Sequence, residues 1–79
     1  MNEGTTPGIA TALGIFRVQP GIPVGQAFDE VSLLLGCVRD LSEMGDESIT
    51  PAAMVALRYL SAMAKALMND LEVARNQSP

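Results

Sequence analysis

Apolar residues fall on two long stripes of helical spacing, separated by a short polar turn and preceded by a stretch with no sustained period. The first stripe is Val24, Ala27, Phe28, Val31, Leu34, Leu35, Val38, Leu41 and Met44, in which each residue has another three or four positions along. One apolar face on a helix gives that spacing, so a helix is predicted over residues 24–44. Gln26, Asp29, Glu30, Arg39, Asp40 and Glu43 fall mostly on the other side. Pro23 suits the first turn, where its missing N–H would be unpaired anyway, and Gly45 is placed as a left-handed C-terminal cap. The second stripe is Ala53, Ala56, Leu57, Leu60, Met63, Ala64, Leu67, Leu71 and Ala74, and it predicts a helix over residues 51–76. Thr50-Pro51 is a start signal, with Thr as N-cap and Pro at the first helical position. The joining turn, Asp46-Glu47-Ser48-Ile49, is short enough to force an antiparallel hairpin.

Ahead of the helices, Phe16 and Val18 share one side of an extended segment, and the aromatic and β-branched content predicts a short strand over residues 15–18. Pro20-Gly21 follows as a type II turn, with Gly supplying the positive φ. Residues 1–12 are Gly, Thr, Pro and small apolar residues, and they read as a flexible arm. Residues 13–76 form the domain, and residues 77–79 a frayed end.

The second helix carries more apolar surface than one partner helix covers. Met54, Val55, Tyr59, Ala62, Ala66 and Met68 flank its main stripe, and Leu33 and Cys37 flank the first. A lone hairpin would leave a contiguous apolar patch that monomers rarely expose. The expected fold is therefore all-α: an antiparallel two-helix hairpin with a short N-terminal strand, pairing as a homodimeric four-helix bundle. The residues expected at the dimer interface are Ile15, Phe16, Val18, Phe28, Val31, Leu35, Gly36, Val38, Leu57, Leu60, Met63, Ala64, Leu67 and Leu71. The strand is expected to pair with its symmetry mate, satisfying one open edge. Ser32 and Gly36, one turn apart, are expected to admit close approach of Ala62 and Ala66, since Gly in a helix costs about 1 kcal/mol relative to Ala and needs an offset.

Composition narrows the chemistry. The chain has 79 residues, 48% hydrophobic but 4% aromatic and 18% charged, with no His or Trp and one Cys. These absences exclude zinc fingers, His-dependent triads and an internal disulfide. A net charge of −4 argues against a nucleic-acid surface, and no run reaches the length of a membrane span. With an acid at Glu3 where an export signal carries a base, the expected compartment is the cytoplasm. Asn76-Gln77-Ser78 matches a glycosylation pattern only by chance. Cys37 sits in the most apolar stretch without a base, so it reads as a buried, inert thiol. Asp29, Glu30, Asp40, Glu43, Asp46, Glu47, Asp70 and Glu72 lack calcium-loop spacing and read as solvated charges. Arg39 with Glu43, and Glu72 with Arg75, are spaced to pair weakly. Tyr59 and Lys65, six apart, do not face each other as a proton relay requires, and Tyr59 reads as a ring at the bundle edge. The glycines form no phosphate loop, and the methionines read as core. No catalytic, cofactor or metal residue is assigned.

Two groups of residues carry a resemblance. Phe16-x-Val18-x-Pro20-Gly21-Ile22, followed by Ala27, Ser32 and Leu34-Leu35, resembles the N-terminal half of short bacterial proteins known as domain-of-unknown-function family 3077. Ala56-x-x-Tyr59-Leu60-x-x-Met63-Ala64-Lys65-Ala66-Leu67 is similar to their C-terminal helix. The resemblance spans roughly Leu13 to Leu71. It implies a bacterial cytoplasmic accessory protein and brings no activity or functional residues with it. The function expected is a non-enzymatic homodimer acting as a protein-interaction or regulatory accessory module, with no cofactor. Its partners would be itself and another protein, with no nucleic acid or membrane. The alternative is a carrier of a small apolar ligand in the bundle interior. An enzyme subunit lending carboxylates ranks third, and DNA binding last.

Overall fold

The computed structural model describes residues 4–43 and 50–77. Within them lie strands β1 (Thr11–Ala12) and β2 (Phe16–Arg17) and helices α1 (Val24–Ser42) and α2 (Pro51–Gln77). The predicted helix starts hold. Thr50 Oγ1 accepts the Ala53 N–H at 3.0 Å, the bond expected of an N-cap. Pro23 stands one position earlier than expected, as the residue before α1 rather than in its first turn. Met44, Gly45 and the turn 46–49 lie outside the described residues.

The helices run antiparallel, because the first turns of α1 meet the last turns of α2. Ala27 and Val31 pack on Leu71, with Ile22, Val24 and Leu67 around them. A second cluster, Ala12, Val18 and Ala66 with Ala10, Ala62, Met63 and Leu67, lies on another flank of α2. Part of the arm expected over residues 1–12 thus belongs to the core, with Thr6, Gly8 and Ala12 all buried.

This N-terminal segment is tied along its length. The Thr6 N–H donates to the Ile22 carbonyl at 2.8 Å, and the Gly21 N–H donates to the Thr6 carbonyl at 2.7 Å. Thr5 bridges Pro23 in antiparallel fashion. The Val24 N–H donates to the Gly4 carbonyl at 3.2 Å, so the segment partners an N–H that α1 leaves unmatched at its start. No side chain caps that end. Gly21 has φ +87°, as the predicted turn requires.

The strand is shorter than residues 15–18 and is not alone. Thr11 pairs with Arg17 and Ala12 with Phe16 in an antiparallel hairpin within one chain. β1 therefore takes an edge of the strand that was expected to need a symmetry mate. A two-residue strand of Thr and Ala carries no alternation, so β1 had no pattern to show.

The Cα atoms fill a slab of 49 × 24 × 15 Å with a radius of gyration of 14.2 Å. A compact chain of this length has a radius of gyration of about 11.6 Å. The long axis is that of α2, whose 27 residues extend about 40 Å. Among the described residues, no helix is long and apolar enough to cross a membrane.

Candidate functional site

Asp70 was expected in water and is 0% exposed. Its carboxylate receives three consecutive backbone amides. The Gly8 N–H donates to Oδ2 at 3.0 Å, and the Ile9 and Ala10 N–H groups donate to Oδ1 at 2.9 and 3.0 Å. An ionised carboxylate buried without partners would be prohibitive; three N–H donors make it tolerable and make the bonds strong. The backbone reaches this geometry because Gly8 has φ +78°, where a side chain is strained. A Cβ there would also stand 2.8 Å from Pro20 N, Cβ and Cδ. Both carboxylate oxygens are engaged by main chain and shielded from solvent, so Asp70 fastens the segment to α2 and is not placed to move protons or hold a metal. Among the described residues, no group of three or more His, Cys, Asp or Glu side chains is arranged to hold a metal ion.

Thr6 fastens the same segment to the Pro20-Gly21 turn. Its hydroxyl donates to the Gln19 carbonyl at 2.6 Å and accepts the Ile22 N–H at 3.0 Å. Thr6→Val keeps the shape and leaves both groups unmatched, so it is expected to cost about 1–3 kcal/mol. Urea unfolding measures the loss, and faster exchange of the Ile22 amide locates it.

The residues expected at a dimer interface divide into three groups. Val18, Val31, Ala64 and Leu71 are buried within the single chain, as part of its own core. Gly36, Val38, Leu57, Leu60, Met63 and Leu67 are half-buried. Ile15, Phe16, Phe28 and Leu35 remain exposed, joined by Leu33, Met54, Val55 and Met68. Phe16 meets Tyr59 edge to face, with ring centroids 6.3 Å apart, so the tyrosine ring packs on the hairpin. Cys37 is exposed rather than buried. Arg39 Nε lies 3.8 Å from Asp40 Oδ1 instead of meeting Glu43, with both side chains in solvent.

Among the described residues of one chain, nothing lies within 4 Å of a Cβ built at Gly36, so the close approach expected there is not made within a single chain. Ala62 and Ala66 pack against Ala12 and Val18 instead. Gly36→Ala is therefore expected to stabilise the single chain by up to about 1 kcal/mol through helix propensity, raising the urea midpoint. A lower midpoint would mean that something else occupies the space beside Gly36.

Two open grooves lie on the flanks of the helix pair. One, of about 440 Å³, is lined by Val24, Phe28, Met68, Leu71, Glu72 and Arg75. The other, of about 210 Å³, lies where Phe16, Val18 and Ile22 meet Met63, Ala66 and Leu67. Sequence reasoning missed the Asp70 clamp. One signal was present: Ala62, Ala66, Asp70 and Ala74 recur at a spacing of four, which sets the acid in a row of small residues suited to burial.

These features define a small helix-pair protein whose N-terminal segment is fastened to its second helix by a buried carboxylate. The chain belongs to the family described as protein of unknown function DUF3077, whose model matches residues 9–74. The match is wider than the Leu13–Leu71 span that the resemblance implied, and it takes in Ile9, Ala10 and Asp70. No curated protein and no solved structure matches the chain.

Proposed function

We propose that the protein is a non-enzymatic homodimer in which two helix pairs close into a four-helix bundle, and that this dimer serves as a protein-interaction or regulatory accessory module. One observation carries the reading: a single copy leaves too much surface in water. It exposes 5618 Å², whereas a compact monomer of its mass exposes about 4,600 Å². The excess, about 1,000 Å², is of the order that one partner buries in a stable interface. Large apolar side chains are prominent in the exposed set, among them Phe28 at 56%, Leu33 at 64% and Met54 at 61%.

Thermal unfolding tests the reading. A dimer melts at a temperature that rises with protein concentration, whereas a monomer melts at one temperature throughout. A melting point unchanged over a hundredfold dilution contradicts the proposal. A second reading, carriage of a small apolar ligand, is favoured by the groove of about 440 Å³ between Phe28 and Met68, which falls in the size range of small-molecule sites. Native mass spectrometry that finds a lipid-like species bound to a single chain would support it over the first.

A further inference from the structure

We infer that the dimer forms through the Phe28 side of the helix pair, with a second copy of this chain as the occupant and Glu72 and Arg75 pairing reciprocally across the two-fold axis. This rests on the homodimer reading and names its face.

The two flanks of the helix pair are not equivalent. On one, Ala12 and Val18 already cover Ala66, and the Asp70 clamp holds that cover in place. A second copy reaching Ala66 there would have to displace that cover and break the three bonds that the Asp70 carboxylate accepts. The other flank is bare. Phe28 and Leu35 lie one heptad apart on α1, and Met54 and Met68 two heptads apart on α2. Residues seven apart drift only about 20° around a helix, so each pair forms a line along its helix. The two lines adjoin, because Phe28 and Met68 line the same groove. All four side chains are large and exposed.

The charges on this flank decide what fits it. Glu72 and Arg75 lie three residues apart on α2 and line the Phe28 groove together. Among the described residues, neither joins an ion pair within the chain. A two-fold interface sets each surface against itself, so a patch of one sign would repel its own copy. One acid and one base on the same helix face match themselves when the copy is turned around, so each residue finds its opposite once and the pair forms twice across the axis. The apolar groove between α1 and α2 accepts the aromatic ring that its twin presents. The excess surface of the single chain, about 1,000 Å², is comparable to the roughly 800 Å² per partner of a standard interface.

The test uses the full chain and reads association by sedimentation. Phe28→Asp is expected to give the mass of one chain at concentrations where the natural protein is paired, with its helical circular dichroism retained, because Phe28 lies outside both buried clusters. Glu72→Arg and Arg75→Glu are each expected to weaken pairing about three- to tenfold, and the double exchange E72R/R75E to restore it to within about twofold. If Phe28→Asp fails to fold, the charge exchange decides alone. Losses that accumulate in the double variant overturn the inference. A natural dimer whose variants all pair normally overturns the face while leaving the homodimer standing. A natural chain that is monomeric at every concentration overturns both.

Discussion

Asp70→Ala is expected to free the N-terminal segment and to lower stability by about 3–4 kcal/mol. The carboxylate binds the Gly8, Ile9 and Ala10 amides from a position with no solvent exposure. A methyl group leaves those three donors facing a void lined by helix, so the segment gains by moving into water. Its departure uncovers Ala66, Ala62 and Met63, which Ala12 and Val18 had shielded. The helix α1 also loses the Gly4 carbonyl at its first N–H. Domains of this size hold only a few kcal/mol in total, so the variant stands near its unfolding threshold at room temperature. Urea unfolding gives the magnitude, and hydrogen exchange at Gly8, Ile9 and Ala10 gives the location. Unchanged protection of these amides would show that the clamp does not hold the segment. Asp70→Asn keeps the volume but turns an N–H₂ group toward amides that need acceptors, and its loss is expected to be smaller than that of alanine.

Gly8→Ala strikes the same fastening from the other side, with an expected loss of about 2–4 kcal/mol from two separable sources. A positive φ of 78° costs a non-glycine residue about 1–2 kcal/mol. The added Cβ also meets Pro20 N, Cβ and Cδ at 2.8 Å, and a ring with a fixed φ yields little. Gly14 serves as the control, with φ +69° and nothing within 4 Å of its Cβ position. Gly14→Ala should show only the conformational part. The gap between the two urea midpoints then measures the contact with Pro20, and equal losses would contradict it.

The helices were legible because side chains mark them. Thr50-Pro51 announces α2, and the stripe through Ala27, Val31, Leu71 and Ala74 marks residues that prove to be buried. The N-terminal segment was illegible because its bonds are made mostly by backbone groups, which every residue carries. Nothing in the Gly8-Ile9-Ala10 pattern distinguishes amides that converge on a carboxylate from amides in water. Asp70 was misread for the same reason, since its partners lie about sixty residues away in sequence and donate only main-chain N–H groups. That omission carried into the surface. Ala62, Ala66 and Tyr59 were counted among the spare apolar residues of α2, yet Ala12, Val18 and Phe16 cover them within one chain. The bare remainder of α2 is therefore narrower than the stripe suggested, and it includes Met54 and Met68, the latter beside Phe28 in one groove. Gly36 misled differently: a glycine inside a helix implied a close neighbour, and within a single chain it has none.

On the homodimer proposal, this polypeptide stands in solution as one half of a symmetric pair. Light scattering on the eluting peak of a size-exclusion column tests that most directly, repeated on samples diluted to the micromolar range. The expected result is twice the chain mass of 8.3 kDa at every dilution. A peak at the single-chain mass that keeps full helical content would contradict it.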